Sequence, residues 1–267
     1  MNTITVESMM KIEKDKRILV DLRSPAEYKK GTIDDAVSLP VLDDEERAVV
    51  GTIYKQENRE KAKITGIRHV SVKLEDLIKS ISKMTSSEKT VILFCSRGGY
   101  RSGPLVQLLN SIGVPVEQLV GGYKKYRQFV INYYTDQFTA RHQFIILHGH
   151  TGCGKTDMIK LLRSRGFPAI NLEALAGNSG SVFGFIGHSS QPVTQKSFES
   201  RMMHHLIHYG NQPIFLESES QRIGNVTIPK SMFQLMVSGR HVLINATMEQ
   251  RIERLVNEYA AILTLDH

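Results

Sequence analysis

Short apolar runs separated by amphipathic stretches set the rhythm of this chain. Ile18-Leu19-Val20 and Val91-Ile92-Leu93-Phe94 are unbroken runs of strand length, the pattern of strands buried on both faces. Leu105, Leu108, Leu109 and Ile112 recur at helical spacing over 102–112, and Gly113 and Pro115 stop that helix. A second cycle opens with the run Phe144-Ile145-Ile146-Leu147. Further strands are predicted at Ala169-Ile170-Asn171, Ile214-Phe215-Leu216 and Val242-Leu243-Ile244. The last helix carries Ile252, Leu255, Val256 and Tyr259 on one face. Strands alternating with helices imply parallel sheets, so the predicted class is α/β. The chain divides into two domains, 1–134 and 141–267, across a junction at 135–141 that is polar and lacks apolar periodicity. It contains no internal repeat and no low-complexity tract.

Composition supports that division. At 267 residues the chain suits two domains, and 41% hydrophobic with 23% charged residues is ordinary globular usage. No apolar run approaches the roughly 20 residues of a membrane span. The first fifteen residues lack the basic-then-apolar order of a secretion signal, so a soluble, cytoplasmic protein is expected. Two cysteines are too few for a disulfide framework. The formal charge of +7 is unevenly placed: residues 1–60 hold 10 Lys+Arg against 13 Asp+Glu, residues 61–140 hold 12 against 5, and residues 141–267 hold 12 against 9. The basic excess therefore gathers around Cys95 and favours an anionic partner such as nucleic acid.

The run Val91–Phe94 leads directly into Cys95-Ser96-Arg97-Gly98-Gly99-Tyr100-Arg101-Ser102, after which a helix begins. A free thiol titrates near about 8.5, so little thiolate is present at neutral pH without help. Loop N–H groups, the helix N-terminus, Arg97 and Arg101 all favour negative charge at the sulfur. Gly98 and Gly99 let the backbone curl into that cradle. The bland alternative, a core cysteine, sits badly with this glycine and arginine setting. Cys-x5-Arg-Ser is the pattern of protein tyrosine phosphatases, and rhodanese-like sulfurtransferases also carry a cysteine loop. Upstream, Val20-Asp21-Leu22-Arg23-Ser24-Pro25-Ala26-Glu27-Tyr28, Gly31-Thr32-Ile33 and Ala36-Val37-Ser38-Leu39-Pro40 closely resemble the rhodanese pattern, and Val120-Gly121-Gly122-Tyr123 resembles its closing turn. Residues 1 to about 134 therefore resemble a rhodanese domain. The phosphatase reading needs an acid near the loop, and Ser96–Ser102 supplies none.

Gly149-His150-Thr151-Gly152-Cys153-Gly154-Lys155-Thr156 matches G-x-x-x-x-G-K-[ST] in full, between a predicted strand and an amphipathic helix with Met158, Ile159 and Leu162. Such a loop, with Gly149, Gly152 and Gly154, cradles a di- or triphosphate on its N–H groups. Lys155 would bridge the terminal oxygens, and Thr156 could hold Mg2+. Glu217 and Glu219, after the predicted strand at 214–216, are candidate acidic partners. Cys153 reads as a small residue filling the turn. His204 and His208 share a helical face, but no third ligand of matching spacing appears, so they read as structural rather than metal-binding.

A rhodanese domain joined to a phosphate-loop domain is similar to the tRNA 2-selenouridine synthase family. The resemblance extends to 44–56, an insertion that ordinary rhodaneses lack, and to the spacing of the 95–102 loop. It also covers 172–176, 180–184, 195–199, 217–220, 222–224 and 251–255. It implies a transferase that converts 2-thiouridine at the wobble position of tRNA to 2-selenouridine through S-geranyl-2-thiouridine. Geranyl diphosphate and selenophosphate would be substrates, Mg2+ an option, and no permanent cofactor is expected. By the same resemblance Cys95 carries selenium as S-selanylcysteine. Arg97, Arg101 and the loop Ser96, Gly98, Gly99, Tyr100 and Ser102 hold selenophosphate, and the phosphate loop binds geranyl diphosphate, with ATP compatible with the same spacing. Members of the family continue well beyond the helix that ends near Tyr259. The resemblance thus predicts a C-terminally short chain, with positions for tRNA or for a prenyl pocket lying beyond it. Two alternatives stand beside this reading: a rhodanese-type sulfurtransferase, or a Cys-x5-Arg phosphatase, either with a regulatory phosphate-loop domain.

Overall fold

The computed structural model describes residues 2–135, 138–177 and 193–263. The resemblance segment at 180–184 lies outside the described residues, as do Asp136 and Gln137 of the expected junction. The chain divides into two compact units, Met1–Phe129 and Val130–His267.

The first unit contains strands β1 (Thr3–Ile4), β2 (Arg17–Asp21), β3 (Val37–Ser38), β4 (Thr90–Phe94) and β5 (Glu117–Leu119). Its helices are α1 (Val6–Lys11), α2 (Pro25–Lys29), α3 (Asp44–Gln56), α4 (Arg59–Ser71), α5 (Leu74–Thr85), α6 (Ser102–Ser111) and the start of α7 (Gly122–Thr135). The sheet order is β1-β5-β4-β2-β3, and every pairing is parallel. Both predicted runs, Ile18–Val20 and Val91–Phe94, lie in adjacent inner strands, paired Ile18 to Val91 through Val20 to Leu93. Val20, Leu93, Leu77, Ile81, Val106 and Leu109 form the core between strands and helices. The predicted helix at 102–112 is observed with Leu105 and Leu109 buried, whereas Ile112 falls on the cap and is half exposed. The insertion at 44–56 forms α3, and α4 follows it. Asp43 caps α3 in a reciprocal arrangement with Glu46, and the Asn58 side chain accepts from the Glu60 N–H at the start of α4.

The second unit contains α8 (Phe138–Arg141), β6 (Gln143–His148), α9 (Lys155–Ser164), β7 (Ala169–Ile170), α10 (Leu172–Ala176) and α11 (Gln195–Tyr209). It continues with β8 (Pro213–Glu217), the antiparallel pair β9 (Arg222–Ile223) and β10 (Val226–Thr227), α12 (Lys230–Ser238), β11 (Arg240–Leu243) and α13 (Met248–Leu263). Its main sheet runs β11-β6-β8-β7, again all parallel. The predicted strand at 242–244 is found as β11, at the edge of the sheet, and this position leaves Val242 and Leu243 exposed. The apolar face expected on the last helix is only partly used. Leu255 packs beside Gly152, while Ile252 and Val256 remain more than half exposed. No helix among the described residues is long and apolar enough to cross a membrane.

In both units the loops of interest leave the C-terminal ends of inner parallel strands, where open α/β sheets place their ligands. Cys95 follows β4 directly. Gly149 follows β6, and the register Leu147 to Glu217 sets the end of β8 beside it.

Candidate active site

Cys95 is 3% exposed, and its sulfur lies 3.2 Å from the Ser102 hydroxyl at the start of α6. Gln118 fixes the direction of that hydrogen bond. Its Nε2 donates to the Gly98 carbonyl at 2.8 Å and to Ser102 Oγ at 2.9 Å. A carbonyl can only accept, so the amide nitrogen faces both groups, and the Ser102 proton is left to point at sulfur. Burial opposes ionisation of Cys95. The Ser102 hydroxyl, the N–H groups of Ser102 and Arg97, and the Arg101 charge together outweigh it and hold the thiol below its ordinary value.

The loop closes against a second tight turn. Tyr123 N–H donates to the Cys95 carbonyl and Lys124 N–H to that of Ser96, both at 2.9 Å. Gly122 has φ +55°, and a Cβ there would lie 2.2 Å from the Cys95 carbonyl oxygen. The turn predicted at 120–123 therefore forms the floor of the cysteine loop, and it requires glycine at that position.

Arg101 points back towards α2. Its guanidinium holds both oxygens of Glu27, at 2.5 and 3.1 Å. Burial alone would raise the Glu27 carboxyl, but Arg101, with the Ser24 N–H and Arg47, draws it below its ordinary value. Arg97 contributes its N–H to the sulfur, while its side chain is exposed. Tyr100 is 65% exposed, with the Lys63 ammonium 5.4 Å from its ring centroid. Nothing lies within 4 Å of the direction a Gly99 side chain would take. Of the predicted loop residues, the structure thus gathers Cys95, Ser102 and Arg101, with the loop N–H groups, around the sulfur. It leaves the side chains of Arg97 and Tyr100 at the surface.

The Asp-x-Arg pattern proves structural. Buried Asp21 and Arg23 pair at 2.6 Å, Thr32 donates to Asp21, and the Arg23 guanidinium stacks 3.8 Å over the Tyr123 ring. A charge pair removed from water this completely persists because hydrogen bonds occupy its remaining sites. It ties β2 to the Gly31–Thr32 segment and to the glycine turn beneath Cys95.

In the second unit Gly149, Gly152 and Gly154 all have positive φ, at +153°, +77° and +94°. A Cβ on Gly149 would meet the Cys153 sulfur at 2.4 Å, so buried Cys153 fills the turn. Lys155 Nζ donates to the Gly149 carbonyl at 2.9 Å, folded over the loop it would serve. Thr156 Oγ1 donates to Glu217 at 3.4 Å, and Glu217 is 1% exposed. Arg251 and Arg254 of α13 donate to the carbonyls of Thr151, Gly152 and Cys153, holding the loop from its outer side.

Glu173, within the resembling segment 172–176 but not among the expected acidic partners, joins Glu217 and Glu219 here. Its N–H donates to Glu217 at 3.3 Å. Burial, then the charges of Glu217 and Glu219, push its carboxyl up to about 7. Glu217 and Glu219 are raised as well, in both cases chiefly by burial. His204 is buried, whereas His208 is exposed. Among the described residues no group of three or more His, Cys, Asp or Glu side chains is arranged to hold a metal by itself.

Comparison with known proteins agrees with the two-part architecture. Residues 5–129 match the rhodanese-like domain family, and residues 142–266 match the family described as the tRNA 2-selenouridine synthase AAA domain. The tRNA 2-selenouridine synthase of Nitrosomonas eutropha is 35% identical over 246 residues, covering 90% of this chain and 62% of that protein. That of Hydrogenovibrio crunogenus is 35% identical over 249 residues, covering 90% and 67%. That of Psychromonas ingrahamii is 32% identical over 248 residues, covering 92% and 66%. The chain thus spans about two thirds of the length of these relatives. With a rhodanese-like unit that cradles a cysteine, followed in sequence by a phosphate-loop unit, the chain belongs to the tRNA 2-selenouridine synthase family.

Proposed function

We propose that this chain carries out the chemistry its relatives are named for, replacing the sulfur of a tRNA 2-thiouridine with selenium in two stages divided between its two units. The observation that carries this reading is the pairing of a thiolate cradle at Cys95 with a phosphate loop at Gly149–Thr156 in one chain of this family.

In the first stage the phosphate loop holds geranyl diphosphate. The thiocarbonyl sulfur of the base forms a bond to C1 of the geranyl group, the C1–O bond breaks, diphosphate leaves with the electron pair, and the N3 proton of the base is lost to solvent. Lys155 and the loop N–H groups neutralise the charge that develops on it. Thr156 and Glu217 fit a Mg2+ ion, since a buried carboxylate aimed at a loop hydroxyl is a hard-oxygen pair. When bound, that ion would add charge neutralisation at the diphosphate.

In the second stage selenophosphate supplies selenium at the Cys95 loop. Overall a C2–Se bond forms and the C2–S bond breaks. Geranyl thiol leaves with a proton, and water takes the phosphorus as phosphate. The Cys95 thiolate adds at C2 and expels geranyl thiolate. The selenide released as water takes the phosphorus then forms the C2–Se bond and displaces Cys95, so that selenium keeps one oxidation level throughout. Arg101 and the loop amides hold the phosphoryl oxygens. The basic excess of residues 61–140 supplies the electrostatic attraction for the tRNA phosphates.

The test is nucleoside mass spectrometry of 2-thiouridine tRNA incubated with both substrates. Lys155→Ala should fail to geranylate. Cys95→Ala should geranylate and stop. Undiminished 2-selenouridine from either variant contradicts the assignment.

A further inference from the structure

Beside the cysteine loop the first unit encloses a cavity of about 360 Å³ that the chemistry above does not use. Its walls are hydrocarbon: Val50 of α3, Ile67 and Val70 of α4, and Leu105 and Leu108 of α6. Tyr100, in the cysteine loop itself, is part of the same lining. Lys63, Ser71 and Arg101 are its polar fringe. The volume falls at the lower end of the roughly 300–1,000 Å³ of small-molecule sites, whose walls are characteristically apolar with a few polar groups at one side. A slender apolar chain fits a site of this volume and lining.

Two features connect the cavity to the sulfur. Tyr100 and Arg101 line it and belong to the loop that begins at Cys95, so a ligand whose reacting end meets the sulfur can lay its tail along α4 and α6. Arg101 also acts electrostatically on Cys95 from the same edge. The helix pair that closes the far side, α3 and α4, includes the insertion at 44–56. α4 and its C-cap moreover leave Ile64, Ile67 and Val72 at 61%, 69% and 79% exposure, a concentration of solvated apolar side chains within one short stretch.

We propose that this cavity is a binding site for the uncharged hydrocarbon chain of an S-alkylated 2-thiouridine, of the acyclic prenyl class, seated so that C2 of the base faces the Cys95 loop. The site deepens the proposed function and rests on it for the identity of the base. It places the recognition of the chain in the rhodanese-like unit, so the alkyl group is what distinguishes a prepared base from bare 2-thiouridine at the selenium step. An apolar chain leaving water for apolar walls supplies the selectivity, and the cationic fringe of Lys63 and Arg101 lies on the side where the anionic tRNA backbone stays.

The test follows carboxamidomethylation of Cys95 by iodoacetamide with S-geranyl-2-thiouridine or S-methyl-2-thiouridine nucleoside as protector. The geranyl nucleoside should slow the reaction by about fivefold or more and the methyl nucleoside should not, because only the former fills the apolar site. Ile67→Glu, a change at an exposed position, and Leu108→Trp, which fills the cavity from α6, should each remove that protection. Equal protection by the two nucleosides, no protection by either, or protection that survives both substitutions would overturn the cavity assignment. Failure of the functional reading looks different. Protection that depends on Ile67 and Leu108, with no 2-selenouridine formed from geranylated tRNA, supports the site and removes the reaction. Selenouridine formation without protection does the reverse.

Discussion

Arg101 and Glu27, 74 residues apart in sequence, are joined by two hydrogen bonds at 2.5 and 3.1 Å across the mouth of the cysteine loop. The pair sets where the loop's arginine stands, and so how much of its charge reaches the sulfur. Glu27→Gln leaves a largely buried guanidinium without its counter-charge and should cost about 1–3 kcal/mol in urea unfolding at neutral pH. The sign with pH follows from the depressed carboxyl. Its contribution is present above the ordinary carboxylate range and lost as pH falls through the folded value, so wild type and variant should converge in acid. A constant difference at all pH values would show that the pair is not what the substitution removes.

Ser102 gives the Cys95 thiolate its nearest hydrogen bond. Ser102→Ala should move the pH midpoint of Cys95 alkylation upward and slow alkylation at neutral pH, with the same limiting rate at high pH. Gln118→Leu frees Ser102 to turn away and should shift the midpoint in the same direction by less. An unchanged profile in Ser102→Ala would transfer the stabilisation to the loop amides alone.

The glycines of the two apposed turns are not equivalent. Gly122→Ala forces a side chain into the left-handed region and against the Cys95 carbonyl. It should lower stability by well over the roughly 1–2 kcal/mol that left-handed backbone alone costs. Gly99→Ala meets open space and should leave the unfolding midpoint near wild type. Thermal or urea unfolding of the two variants side by side measures the contrast.

Glu173 is predicted to make the phosphate loop sensitive to pH. Its carboxyl is neutral below about 7 and ionised above, so rising pH adds negative charge beside Lys155. Without Mg2+, pyrophosphate affinity measured calorimetrically should fall as pH rises through about 7, and Glu173→Gln should flatten that fall. The raised carboxyl also means that the folded protein holds a proton the unfolded chain has lost, so stability declines as pH rises from the ordinary carboxylate range to about 7. A variant that keeps the wild-type inflection would assign it to another group.

Much of this was legible in the chain because it is local. The run Val91–Phe94 followed by a glycine-bearing cysteine loop, and Phe144–Leu147 followed by the phosphate loop, announce strand, loop and helix through continuous residues. What escaped was non-local. Glu27 stood within a recognisable motif, yet nothing in it tells that its partner is Arg101. Gln118, in a three-residue strand, carries no pattern, although it orients Ser102. The two-residue strands β1 and β3 are too short for any periodicity to register, and they pair only because β5 and β2 offer them an edge. Glu173 became notable only when β7 and β8 brought it to Glu217. Apolar periodicity also overstated burial at the end of the chain, where Val242 lies on an edge strand and Ile252 and Val256 face outward.

The most direct test of the central claim supplies Cys95→Ala with 2-thiouridine tRNA, geranyl diphosphate and selenophosphate, and quantifies nucleosides by mass spectrometry. The account predicts that S-geranyl-2-thiouridine accumulates and 2-selenouridine is absent, while wild type forms both in sequence. Selenouridine formed at the wild-type rate by Cys95→Ala, or a wild type that forms neither nucleoside, would contradict it.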